Sequence, residues 1–372
     1  MATDYTSLES VLGNAEWHPL EVHLNDITLR IDSSVAKAQD MRTKYRQELL
    51  QSDPSLKEKI MKPSEQSIQI AKSLLTTGTV AAADGTISPV PLLGGSKIQI
   101  GVVIVSNKGE VVNLVTRIFE TELIDDSKTA TEFFSRLRDA RKISNLLGRA
   151  LMLFGERNEL LKQTADWRMI HGELIPHELR TGAGNPAKNL SGTFDLINKY
   201  INTKNFIAVS EGSDDIDILN AAILLEQGEY IVIRSLTETL TSFLEGDSET
   251  GQAKANFAGP DERRFREFIA SAGPKVSVVL VKASSKPFLL ECHSDKVDEA
   301  VSLFLADSLW SRGLSTDGSA FAVRGFPFHI DLADQVARTL LKGSDFRSLV
   351  ESRMFNLGIE SGFFDLDARR TR

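Results

Sequence analysis

Cysteine is nearly missing from this chain: Cys292 is the only one in 372 residues. A lone thiol builds neither a disulfide framework nor a cysteine-based zinc site, and such usage fits a reducing, cytoplasmic setting. Long apolar runs are missing too. The longest, such as the one ending at Val105, are of strand length, and none approaches a membrane span. The first ten residues, MATDYTSLES, have no basic start and no apolar centre, so no secretory leader is expected. Nor is there a surplus of positive charge. The formal net charge is −8, which excludes a simple basic protein that coats nucleic acid. Three signatures are absent: the phosphate-binding G-x-x-x-x-G-K-[ST] loop, the G-x-S-x-G elbow and the H-E-x-x-H zinc helix. An ATP-driven motor and two common hydrolase chemistries lose their support.

What remains is ordinary globular material. Hydrophobic residues make up 41% and charged residues 25% of the chain, and its length suits one large domain with an appended arm. Basic clusters lie at Arg136, Arg138, Arg141 and Lys142, at Arg263, Arg264 and Arg266, and at the chain end. Each alone reads as a solvated helix face. An acidic protein can still act on a polyanion, because a metal site needs carboxylates and a substrate groove needs only local cations.

Residues 1–32 show no clear period, and residues 33–60 read as an exposed helix broken near Pro54, so residues 1–65 form an arm. The core, residues 66–342, opens with Val80–Ala83, ending in Asp84-Gly85. A loop with two prolines and Gly94-Gly95 follows. Ile98–Val105 and Val111–Phe119 are β-rich, with a turn at Asn107-Lys108-Gly109-Glu110 between them. Thr129–Gln163 carries Phe133, Phe134, Leu137, Ile143, Leu146, Leu147 and Leu151 at helical spacing. Strands are expected at Trp167–Ile170, Phe206–Val209, Tyr230–Arg234, Val276–Val281, Phe288–Glu291 and Ala320–Val323, with a helix near 190–201. Three antiparallel strands followed by alternating helices and strands predict an α/β fold. It is a ribonuclease-H-like mixed sheet, an antiparallel meander leading into parallel strands, with C-terminal extensions. Residues 343–372 read as a helical tail.

Asp84 follows the first core strand, where a carboxylate can hold a divalent ion for phosphodiester chemistry. On its own, Asp-Gly reads as a turn pair rather than as a ligand. Glu211, Asp214 and Asp215 follow the strand Phe206–Val209 and read either as a helix cap or as further ligands. His177 and His293 read as surface or strand-end residues, and Cys292 as a buried small apolar side chain.

Taken together, these segments resemble the NurA family of nucleases. The stretch Val80-Ala81-Ala82-Ala83-Asp84-Gly85-Thr86 is similar to the family's first motif, an apolar strand ending in Asp-Gly-Ser. Ile170-His171-Gly172-Glu173-Leu174 resembles its middle strand, which ends in Asp-Gly-Ser-Leu. Gly325-Phe326-Pro327-Phe328-His329-Ile330, running to Ala333-Asp334, resembles its Gly-Tyr-Pro-Tyr-Pro-Leu element and the helix bearing Ala-His. The likeness spans roughly residues 70–342. It implies metal-dependent cleavage of DNA ends, with Asp84, Glu156 (or Glu159, one helical turn on), His171 and Asp334 holding the ion. It further implies a HerA-like hexameric ATPase as partner and a homodimer. Three positions depart from the family pattern. His171 stands where the family has Asp, Phe326 where it has Tyr, and Asp334 where it has His. An exchanged His and Asp would leave two or three carboxylates and one imidazole, a set that favours Mn²⁺ over Mg²⁺. The competing reading is a degenerate NurA-like protein that docks on the ATPase or on DNA without hydrolysis.

Overall fold

The computed structural model describes residues 19–92, 95–106, 108–109, 111–115, 119–122, 128–212, 215–246, 257–314, 325–341 and 346–358. Two compact units emerge, Met1–Glu58 and Lys59–Arg372. The first holds a single long helix, α1 (Leu20–Ser52). It begins earlier than the sequence pattern suggested. Leu20, Leu24, Ile27 and Ile31 already follow a helical spacing that is easy to miss among polar residues. It stops before Pro54, which disfavours helical backbone at the preceding residue.

In the second unit nine strands among the described residues form one sheet, β1 (Val80–Leu92), β2 (Gly95–Ser106), β3 (Val111–Val115), β4 (Phe119–Glu122), β5 (Trp167–His171), β6 (Phe206–Ser210), β7 (Tyr230–Ser235), β8 (Val276–Lys282) and β9 (Pro287–His293). Their order is β3-β2-β1-β5-β6-β9-β8-β7, with β4 also on β2. β1, β2 and β3 are antiparallel, while β5 lies parallel to β1 and β6 parallel to β5. That is the predicted ribonuclease-H-like sheet, extended by an antiparallel β7–β9 meander. The strand expected at Ala320–Val323 lies outside the described residues.

Three expectations need correction. Asp84-Gly85 is not a turn. β1 continues through it, Asp84 opposite Val103 and Gly85 opposite Val102. The stretch with two prolines is likewise strand rather than loop. Beyond Ala83 the β5 side of β1 has no partner strand among the described residues. Pro89 and Pro91, two apart, direct their missing donors to one edge, and that open edge tolerates them. The third expected strand also divides into β3 and β4, each paired to its own stretch of β2.

Side-chain alternation divides the sheet between two cores. Ala81, Ala83, Val102, Ile104 and Ile170 face one side. Packed there are α3 (Ala130–Leu161), α4 (Pro186–Thr203) and α5 (Pro260–Ala272). Val80, Ala82, Val103, Val105, Met169 and Val209 face the other. That side is covered by α2 (Glu65–Thr76), α6 (Val297–Leu314) and α7 (Phe328–Leu340). Ser64 caps α2 by accepting from the Ser67 amide, Thr129 caps α3 through Glu132, and Asn185 caps α4 through Lys188. No helix among the described residues is long and apolar enough to cross a membrane.

The loop after β5 is tied to the meander by a buried acid. The Leu174 amide donates to the Glu291 carboxylate, which is 6% exposed. Burial, with Glu173 nearby, pushes the Glu291 carboxyl from 4.5 up to about 7. A raised carboxyl stabilises the fold fully below pH 4.5 and loses that contribution as pH rises through 7. In Glu291→Gln the amide oxygen still accepts from Leu174 but no longer titrates. Melting temperatures followed across pH should show the native protein losing stability relative to this variant between pH 4.5 and 7. Parallel curves would contradict the assignment.

Candidate metal centre

The register of the parallel strands sets the site. Ala83 pairs with Ile170, so Asp84 and His171 come level on adjacent strands. His171 pairs with Val209, which brings Glu211 to the end of the third strand. Trp167, Met169, Ile207 and Val209 face the α7 side. By alternation His171 and Glu211 face it too, as Asp84 does following Ala82. Three neighbouring strands, β1 within its length and β5 and β6 at their ends, thus aim two acids and an imidazole at one helix.

That helix supplies Asp334. Ile330, Ala333 and Ala337 bury one stripe of α7 in the core, and Asp331 and Asp334 lie together beside it. Donor atoms of Asp84, His171 and Asp334 all fall within 4.8 Å of one another. His171 Nδ1 is 3.4 Å from Asp84 Oδ2, and its Nε2 is 3.8 Å from Glu211 Oε1. Phe326 stands edge-on to the His171 ring, centroids 5.6 Å apart, and also packs on Phe288. With no hydroxyl to offer, it acts as an apolar wall that fixes the imidazole.

Glu156 arrives from the opposite face, on α3, and is 1% exposed. Gly85 admits it. A Cβ added there would lie 2.5 Å from Glu156 Oε1 and 2.7 Å from Met152 Cγ. The neighbouring Arg157 is fully buried and holds this part of the fold together. Its guanidinium donates to the Leu174, Leu153 and Glu173 carbonyls and to Glu156 Oε2 at 3.2 Å. Glu156 Oε1 is left buried with no hydrogen-bond partner. Glu159, the alternative one turn on, pairs with Lys162 instead. All four predicted positions therefore gather in one region, three of them within ligating distance and Glu156 beneath Asp84 through Gly85.

Electrostatics mark the same place. Burial pushes the Glu156 carboxyl up to about 8 against the pull of Arg157, with Asp84 adding to the rise. Burial also raises Asp334, which gains further from Asp84 while Arg338 opposes. Asp331 is pushed up to about 6 by burial and then by Asp334. Desolvation disfavours a charged His171, but hydrogen bonding to Asp84 and Glu211 outweighs it and lifts the ring to about 10. Glu211 is held down at about 2, first by His171. Acids crowded enough to resist ionising are a set that a cation would relieve, and the His171 ring would give up its proton to ligate it. Two carboxylates and an imidazole at short range, plus an orphaned buried carboxylate oxygen, fit a divalent ion with mixed oxygen and nitrogen preference.

Sequence reasoning left four contributors unassigned or misplaced. Glu211 was weighed with Asp214 and Asp215 as a cap. Asp215 does face the Ile218 amide at 3.5 Å, Glu211 turns to the site, and Asp214 lies outside the described residues. Asp331, three residues before Asp334, shares its helix face, a spacing that could have signalled it. Arg157 and Arg338 carry no local signature. His177 begins a short helix, His293 ends β9, and Cys292 is buried, as read from the sequence.

No family model matches the chain, and no curated protein is similar to it in sequence. Among solved structures it is similar to the NurA nuclease from Sulfolobus solfataricus, at 12% identity over 91% of this chain and 98% of that one, TM-score 0.43. A structure of NurA with manganese matches at 9% identity over 87% and 98%, TM-score 0.47. An endonuclease V from Bacillus subtilis matches at 11% identity over 79% and 95%, TM-score 0.29.

Two substitutions probe the arrangement. Gly85→Ala should drive Glu156 away from Asp84 and weaken Mn²⁺ binding in calorimetric titration while the fold persists; unchanged affinity would remove Glu156 from the site. Arg157→Met strands a buried acid and three carbonyls, and should cost about 3–5 kcal/mol in urea denaturation. A loss below ~1 kcal/mol would show that Arg157 is dispensable.

Proposed function

We propose that the protein is a divalent-metal-dependent deoxyribonuclease of NurA type that processes DNA ends. The observation that carries this reading is the convergence within 4.8 Å of Asp84 and His171, on adjacent strands, with Asp334 on α7. These residues come from the three sequence segments that resemble NurA motifs. Asp84, His171 and Asp334 would hold the ion, and Glu156 would offer its unpartnered Oε1 from below. Once bound, such an ion neutralises charge on the phosphodiester and makes water a competent nucleophile near neutral pH. Asp84 from the sheet and Asp334 from α7 would both hold it. Glu211 and Phe326 orient the His171 ring from its far nitrogen and its face. Arg157 fixes which oxygen of Glu156 is left free. The nitrogen ligand favours Mn²⁺ over Mg²⁺.

The absence of a phosphate-binding loop means that any translocation along DNA must be powered by another protein, and the sequence resemblance implies a HerA-like hexameric ATPase. It implies a homodimer as well, and the single cysteine fits a cytoplasmic setting. A second reading is favoured by one observation. Asp334 is engaged by Arg338 through both oxygens, and Phe326 replaces a hydroxyl-bearing residue, as in a degenerate protein that docks without hydrolysis.

Cleavage of linear DNA with Mn²⁺ separates the two. The native chain should cut, and Asp84→Ala should lose more activity than the roughly 10–100-fold typical of an outer-shell residue. Absence of cutting by a well-folded native chain would instead establish the docking reading.

A further inference from the structure

Arg338 sits one helical turn after Asp334 on α7. Its Nε donates to Asp334 Oδ1 at 2.8 Å, and a terminal nitrogen reaches Oδ2 at 2.7 Å. The arginine side chain is 63% exposed, whereas that of Asp334 is 14% exposed. A guanidinium therefore caps, from the solvent side, the carboxylate that also faces Asp84 and His171. The pair is surface-held and between residues four apart, so it exchanges easily. It also has a competitor. A divalent ion among Asp84, His171 and Asp334 would claim an Asp334 oxygen and repel the neighbouring positive group.

Among the described residues acids predominate around it, although His171, Arg157 and Lys286 lie among them. Asp84, Glu156, Glu211, Asp331 and Asp334 all lie close together, a field that opposes a phosphodiester. On this side a cation is needed to receive the backbone. The planar fork that spans a carboxylate also spans a phosphate.

We infer that Arg338 is a substrate-binding residue held in reserve: it closes Asp334 while the site lacks a divalent ion, and is released by the ion to grip a phosphate of the DNA strand beside the reacting one. The inference rests on the nuclease reading above. It makes DNA affinity depend on the ion in a way that a fixed surface cation does not. Arg338 adds a phosphate contact only when Asp334 is otherwise engaged.

The test is fluorescence anisotropy with a labelled linear duplex carrying phosphorothioate linkages at its ends, across a salt series, with and without Mn²⁺. The native chain is compared with Arg338→Ala and Arg338→Lys. With Mn²⁺, Arg338→Ala should bind several-fold more weakly, and the slope of log affinity on log salt should fall by about 0.9, one phosphate contact. Without Mn²⁺ the two should bind alike. Arg338→Lys should recover the salt slope but not the full affinity, as a point charge without the fork. Mn²⁺ affinity, read by calorimetry without DNA, should not weaken in Arg338→Ala. Equal salt slopes with Mn²⁺ would overturn the inference, as would equal losses with and without the ion or weakened Mn²⁺ binding. Because binding is read rather than cutting, a native chain that binds in this pattern but does not cleave would retain the Arg338 role and defeat the nuclease reading alone.

Discussion

The hydrogen-bonded register of β1, β5 and β6 is the constraint on which the site depends. Parallel strands with a side-chain period of two leave no freedom once the pairs Ala83–Ile170 and His171–Val209 are fixed. A slip of one residue in β5 would turn His171 into the α3 face and put Gly172 beside Asp84. The apolar residues enforce that register. Met169 and Ile170 are both fully buried, on opposite faces, so neither can exchange sides without loss of core. The precision of the polar cluster is thus inherited from hydrophobic packing several residues away.

Like charges concentrated in a folded protein need compensation, and here it comes in layers. Arg157 answers Glu156 from inside the core, where its guanidinium also closes the backbone carbonyls of the loop after β5. Lys286 reaches Glu211 at the rim, 3.4 Å away, and lies over the Phe288 ring. Asp84 and Glu211 draw the His171 ring toward its charged form. The inner compensation is permanent because the pair is desolvated and multiply bonded. The outer compensation is labile, since exposed ion pairs contribute little and rearrange freely.

Much of this was legible in the sequence, for definite reasons. Strands rich in β-branched residues and the long periodic helix announce themselves locally, which is why the meander, α3 and the β5–β6 pair emerged close to their true bounds. Asp84, Glu156, His171 and Asp334 were proposed from motif order, and the structure brings them to one region. What was not legible depends on distant partners. Asp84-Gly85 looks like a turn because the local chain cannot reveal that β2 pairs along the whole of β1. The two prolines argue against a strand until the open edge beyond Ala83 is known. Glu211 resembles a cap because its true neighbour, His171, is 40 residues away in sequence. Arg157 and Arg338 are ordinary helix residues until their acceptors are placed. The onset of α1 was missed for a different reason, since its apolar period is diluted by polar neighbours.

Cys292 lies at the heart of the β6–β9 seam, fully buried, with its thiol pushed up to about 12 by that burial. A thiol so placed reacts with alkylating reagents only when the sheet opens. Because no second cysteine competes for the reagent, the rate of modification becomes a gauge of how often the core around Cys292 opens. The molecule carries its own reporter of core opening, requiring no engineered label.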